Sequence, residues 1–388
     1  MRFIHTADLQ LGKPFASIEA QDKRALVQQA RFETLERIRD IVREYNASFV
    51  VVAGDLFDSP SADNSTISRA CKAVGSLGVP VLVIPGNHDH GGAGSVWERE
   101  FFLQEQRSLA PNLCLLLKPE PVELEEAVIL PCPLLHRRVV EDPTGWLRQF
   151  NFSSLPPDKP RIVVAHGSVM DFGGDVGGTE DSDSTNFINL GALPWDQIDY
   201  LALGDWHGTV QVGERAWYSG AHEPDRFPKH HEYDAGNVLV VDVKRGATPS
   251  VEKVKTAKLR WLRLSFNLTD GGSLEQLERD LGEAVDVGKS LLRLELEGVV
   301  GLNVANGLQR LEERFRARVL HFELENRCTV LPSEQEIHSL IQRSEDPLIS
   351  RVAEALYQKS RGEGDDAKVA CWALNELYSA VFEEGMKR

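Results

Sequence analysis

Short runs of β-branched and aliphatic residues recur along the first half of the chain. Each stops at a turn, and polar side chains with ligand chemistry follow at once. The clearest case is Val81 to Asp89, Val-Leu-Val-Ile-Pro-Gly-Asn-His-Asp. An apolar run of that length bounded by turn residues predicts a buried parallel strand. The pattern returns at Phe3–Thr6 ahead of Asp8 and at Ser48–Ala53 ahead of Gly54-Asp55. It returns again at Arg161–Ala165 ahead of His166-Gly167, and at Tyr200–Leu203 ahead of Gly204-Asp205-Trp206-His207. Between the first strands, Phe32, Leu35, Ile38, Ile41, Val42 and Tyr45 recur at helical spacing, as do Ile67, Cys71 and Val74. The resulting β-α-β-α-β order implies an α/β fold around a mostly parallel sheet. A further helix is expected from Ser95 to about Ser108. More strands are expected at Leu113–Leu117, Ala127–Pro131, Ala216–Ser219 and Val238–Asp242.

The texture changes near Thr256–Leu259. Leu262–Leu268 and Leu291–Leu296 alternate like half-exposed strands, Arg318–Glu323 reads as a third, and helical stretches at 273–284 and 304–314 lie between them. Helices then dominate, near Glu334–Arg343, Pro347–Ser360 and Ala367–Glu384. The expected organisation is a main domain at 1–257, a small α+β domain at 258–330 and a helical tail at 331–388. Leu348, Val352 and Leu356 in the tail suit either a partner or the chain's own core.

In open α/β sheets, ligands bind just beyond the carboxyl ends of the strands. Those ends carry Asp8 and Gln10, Asp55, Asn87 and His88, His166, and Asp205 and His207. Any one of them could be a turn residue or a satisfied core histidine. Five strand ends of one sheet carrying them in order is not a chance pattern. Carboxylate, carboxamide and imidazole without thiolate suit manganese, iron or zinc. The set exceeds what one ion needs, and a carboxylate such as Asp55 can bridge two.

Composition narrows the class. Hydrophobic residues make up 42%, ordinary for a globular protein. No apolar run approaches the roughly eighteen residues of a membrane span. Met1-Arg2 leads directly into Phe3-Ile4-His5, so no signal peptide, a cytoplasmic location and no membrane association are expected. The five cysteines (Cys71, Cys114, Cys132, Cys328, Cys371) form no C-x-x-C pair and read as reduced thiols. The net charge of −16 argues against unaided, non-specific nucleic-acid binding. A nuclease stays open, since bound cations offset acid and a partner can supply basic surface. The Gly- and acid-rich stretch 171–186 reads as a mobile surface loop, or as a lid or partner loop.

The strand-end residues resemble the calcineurin-like metallophosphoesterases, whose pattern is D-x-H, G-D, G-N-H-D/E, H and G-H-x-H. Within that family the chain resembles the SbcD-type DNA repair exonucleases. The likeness lies in Phe3-Ile-His-Thr-Ala-Asp-Leu-Gln-Leu-Gly-Lys13, in Tyr218-Ser-Gly, and in Glu223-Pro-Asp-Arg-Phe227. The motifs cover about residues 1–243; beyond that only the layout is similar. The resemblance implies a β-sandwich core flanked by helices, with a smaller C-terminal α+β capping domain. It also implies two divalent ions, manganese foremost with magnesium or iron(II) as alternatives. One would be held by Asp8, Gln10, Asp55 and His207, the other by Asp55, Asn87, His166 and Asp205. His88 would assist the leaving group, oriented by Asp89. Gln10 and Asp205 depart from the family's histidines and harden the site. His222 would line the site, and Arg137 and Arg138 either contact phosphates or form an exposed basic turn. Trp206 suits base stacking or packing. The implied partners are DNA, an SbcC-like ATPase and a second copy of the chain. Competing readings are a small-molecule phosphodiesterase or phosphatase, and a scaffold that keeps the fold without catalysis.

Overall fold

The structure, a computed structural model, describes residues 1–169, 185–228, 233–330 and 334–386. Most of the expected loop, residues 171–184, lies outside the described residues. Two compact units follow along the chain, Met1–Trp261 and Leu262–Arg388. No described helix is long and apolar enough to cross a membrane.

The first unit contains two six-stranded mixed sheets. One runs Ser250–Lys255, Asn237–Asp242, Arg2–Thr6, Val50–Ala53, Val81–Ile84, Leu113–Leu115. The last four of these are mutually parallel. The other runs Val210–Gly213, Ala216–Tyr218, Tyr200–Gly204, Arg161–His166, Val128–Cys132, Val122–Glu123, with a parallel centre. The single sheet read from the strand pattern is therefore corrected, and the two-sheet core flanked by helices that the resemblance implied is found. The five ligand-bearing strands divide three and two between two sheets.

Strand alternation explains the packing. Phe3, Val51, Leu82 and Ile84 of the first sheet pack with Ile129, Ile162, Val164, Tyr200 and Ala202 of the second. Phe3 stacks on Phe49 and meets Tyr200 edge-on, with centroids 5.1 and 5.6 Å away. The other face of the first sheet (Ile4, Val50, Val52, Val81, Val83) packs on the crossover helices Gln21–Glu44 and Asn64–Gly75. These strands are covered on both faces, which is why they read as continuous apolar runs. Each such side chain contributes about 1.5–3 kcal/mol on burial. Asp63 caps the second helix by accepting the Thr66 N–H at 2.7 Å. The expected helix from Ser95 begins later. One short turn at Val96–Glu98 precedes the helix Glu100–Leu109.

In the second unit, Arg260–Leu268, Ser290–Val300 and His321–Val330 form a three-stranded sheet whose last two strands are parallel. The helices Gly271–Ala284 and Leu302–Arg318 share its core. Three helices follow, Glu334–Ile341, Pro347–Ser360 and Asp365–Met386, with Ile337, Leu340, Ala353 and Leu374 between them. Leu356 packs against this cluster, whereas Leu348 and Val352 are exposed.

Candidate metal centre

Neighbouring strand ends of both sheets converge on one cleft. It is lined by Gln10, Asp55, Asn87, His88, Asp205 and His207, with Arg137, Arg138 and Arg226 among its other residues. The loop after the first strand is tied to the loop after the second, Asp8 N–H to the Gly54 carbonyl at 3.2 Å and Gln10 N–H to the Asp55 carbonyl at 2.8 Å. Asp8, Gln10, Asp55 and Asp205 all adopt positive φ (53°, 38°, 57° and 106°). Left-handed backbone at non-glycine residues persists where surrounding structure over-determines it, and such positions cluster at functional sites. Glycines make room beside them. A Cβ at Gly86 would overlap the Asp55 carboxylate, and one at Gly54 the His166 ring.

On one side of the cleft, His166 Nδ1 faces the Ala53 carbonyl at 2.8 Å. A carbonyl only accepts, so Nδ1 carries the proton and Nε2 points inward. Around Nε2 lie Asn87 Oδ1 at 3.0 Å, Asp55 Oδ2 at 3.7 Å and Asp205 Oδ1 at 3.9 Å. Ligand atoms of Asp8, Asp55 and His166 fall within 4.8 Å of one another. Ser168 orients Asp205, its hydroxyl donating to Oδ2 at 2.7 Å. Burial alone would depress the pKa of His166, but Asp55, Asp8 and Asp205 outweigh it and push it up to about 9. Asp8 is raised above the usual carboxylate range, mainly by burial. This pocket calls for positive charge, which a divalent cation supplies.

The other side is built differently. His207 Nδ1 meets Asp225 Oδ1 at 3.0 Å, and its Nε2 lies 3.9 Å from Asp8 Oδ1. Burial pushes Asp225 up, but His207, Lys13 and Arg226 hold it well below the usual carboxylate range. An ionised Asp225 fixes the His207 tautomer. Gln10, expected as a carboxamide ligand, turns its oxygen away from His207. Its Oε1 accepts from Lys13 Nζ at 2.8 Å, and its Nε2 faces His207 Nε2 at 3.4 Å and Asp55 Oδ2 at 3.5 Å. Lys13 also donates to Asp225 at 2.6 Å.

Two further expectations are corrected. Asp89 does not orient His88. Its buried carboxylate accepts the N–H groups of Gly86 and Phe57 at 2.8 and 3.0 Å and so closes its own loop. Burial and Asp55 push its pKa up to about 7. His88 is held by Asp58, Nδ1 lying 2.9 Å from the backbone carbonyl, so Nε2 is left for the cleft. His222 does not line the cleft either. It is fully buried, with Nε2 2.8 Å from the Arg31 carbonyl.

Arg137 and Arg138 do line the cleft, and Trp206 packs against the core beneath the second sheet. Sequence reasoning missed Lys13, Asp58, Ser168, Asp225 and Arg226. It also missed Arg31, whose buried guanidinium donates to the carbonyls of Asp8, Leu9 and Glu223 and so staples the Asp8 loop to the Glu223 loop. The signal for Asp225 and Arg226 was the Glu-Pro-Asp-Arg-Phe run.

The family model of the calcineurin-like phosphoesterases matches residues 1–240. The chain belongs to the calcineurin-like phosphoesterase family. Members of this metallophosphoesterase family are hydrolases that bind divalent metals, and the buried Asp8, Asp55 and His166 are able to hold one. The DNA double-strand break repair protein Mre11 of Aeropyrum pernix is 26% identical over 292 residues, covering 70% of this chain. The chain spans 65% of that relative's length. A solved structure, TT1561 of Thermus thermophilus, aligns with 66% of this phosphoesterase and 98% of its own chain at 11% identity, with a TM-score of 0.40.

Proposed function

We propose that the chain hydrolyses phosphodiester bonds in DNA, in repair, with divalent metal held at the cleft. One observation carries this reading. Asn87 Oδ1, Asp55 Oδ2 and Asp205 Oδ1 gather within 3.0, 3.7 and 3.9 Å of His166 Nε2, so three oxygens and one imidazole nitrogen meet at one point of the cleft. Such a set fits a cation of oxygen-and-imidazole preference, manganese first. A metal bound there supplies charge stabilisation at the phosphoryl oxygens and an acidified water.

The remaining steps belong to the chain's own residues. Arg137, Arg138 and Arg226 give the cleft a cationic rim suited to phosphate oxygens. His88, its tautomer fixed by the Asp58 carbonyl, is positioned to hand a proton to the departing oxygen. Ser168 keeps Asp205 in place. The kinship with a DNA double-strand break repair protein supports DNA as the substrate, and the proposed partner is an SbcC-like ATPase. The exposed Leu348 and Trp372 of the second unit are candidate contacts for it. A dimer of this chain completes the proposed assembly.

The test is cleavage of single- and double-stranded DNA by the purified chain with manganese, repeated in chelator. Metal-dependent cleavage is the expected result. Cleavage that survives chelation would rule out the mechanism. Turnover of a generic phosphodiester beside inertness on DNA would favour a small-molecule substrate.

A further inference from the structure

The two histidines of the cleft are delivered alike. Each has Nδ1 fixed from behind, by the Ala53 carbonyl for His166 and by Asp225 for His207, and each turns Nε2 inward. What faces the two Nε2 atoms differs. His166 meets only acceptors, whereas His207 meets the Gln10 amide nitrogen at 3.4 Å. Lys13 dictates which end of that amide points inward. An ammonium only donates, so the amide atom 2.8 Å from Nζ must be the oxygen. Turning the amide over would break that bond and set its NH₂ against the ammonium. Lys13 cannot readily yield, because the buried Asp225 holds it at 2.6 Å. Asp225 thus fixes His207 and, through Lys13, Gln10.

We infer that Lys13 is a positioning residue that locks Gln10 as a hydrogen-bond donor toward the cleft, so that the centre holds one divalent ion tightly, on the His166 side. This rests on the phosphodiesterase reading above and sharpens it. The Gln10 N–H group occupies the approach to His207 Nε2 and Asp55 Oδ2, where a second ion would need an electron pair. The same N–H is available to a phosphate oxygen of the substrate. Binding of a second ion is weakened by about 10- to 100-fold, the range seen when partners behind metal ligands are altered.

The experiment is a manganese titration of the chelator-stripped full chain. Free ion is followed by electron paramagnetic resonance, and the bound spectrum is recorded. The wild type should take up one ion tightly and show no spin-coupled pair at one equivalent or two. Gln10→His supplies an inward electron pair and should tighten the second ion and produce the coupled spectrum. Lys13→Met releases the amide and should move in the same direction, more weakly. A merely structural role for Lys13 would leave the spectrum unchanged. Two equally tight, spin-coupled ions in the wild type would overturn the inference while leaving the phosphodiesterase reading intact. No bound ion at all would overturn both. Gln10→His protein that still takes only one ion would also count against it.

Discussion

The two halves of the cleft come from the same architecture, yet they are not chemically equivalent. The His166 half gathers a carboxamide oxygen and carboxylate oxygens from both sheets around one imidazole nitrogen. The His207 half has the same imidazole presentation, but an amide N–H stands in front of it, held there by Lys13 and Asp225. The difference lies in which end of one side chain points inward. Counting ligand-type residues treats Gln10 and Asn87 as equals; following their hydrogen bonds separates them.

That asymmetry can be broken most severely from the His166 side. His166→Ala should abolish tight manganese binding and reduce DNA cleavage by more than the about 100-fold upper range of outer partners, as read by calorimetry and a nuclease assay. His88→Ala separates binding from chemistry. Its kcat should fall by about 10²- to 10⁴-fold, while the ion titration stays that of the wild type. A changed titration would mean that His88 is a ligand rather than a proton donor. Asp225→Asn tests the other half. It loosens both His207 and Lys13, so cleavage should fall about 10- to 100-fold with the tight ion still bound. If that ion is lost, the two halves are not independent.

The smallest effect concerns stability. His5 lies behind the strand leading to Asp205, its ring 3.0 Å from the Tyr200 hydroxyl and 3.2 Å from the Leu203 carbonyl; His222 lies behind the His207 side. Burial lowers both pKa values to about 3. Between the ordinary histidine value near 6.5 and about 3, the unfolded chain binds protons that the folded chain does not. The stabilisation is therefore complete above pH 6.5. It falls with acidification by about 1.4 kcal/mol per pH unit for each histidine. Urea unfolding of the wild type, His5→Gln and His222→Gln between pH 7 and 4 should show a shallower acid slope in each variant.

Much of this was legible in the sequence, for a physical reason. A buried parallel strand must be apolar throughout and must end at a turn, so polar residues just past the turn stand out. That is how Asp8, Asp55, Asn87, His166, Asp205 and His207 could be found. Their division between two sheets was not visible, because strand order in a sheet leaves no periodicity in a chain. The fixing contacts were invisible for a related reason. Lys13 and Asp225 are 212 positions apart, and Asp225 sits in a loop with no regular pattern. Asp89 misled because adjacency suggested contact with His88. The turn instead directs its carboxylate back to the N–H groups of Gly86 and Phe57. The 3.6-residue pattern also placed the helices of the second unit well.

The most direct test of the asymmetry is an anomalous-scattering map at the manganese edge, from crystals of the full chain grown with the ion. One strong peak is predicted among Asn87 Oδ1, His166 Nε2, Asp55 and Asp205, with Gln10 Oε1 still on Lys13. Two peaks of equal height on either side of Asp55, with the Gln10 amide turned over, would contradict the account.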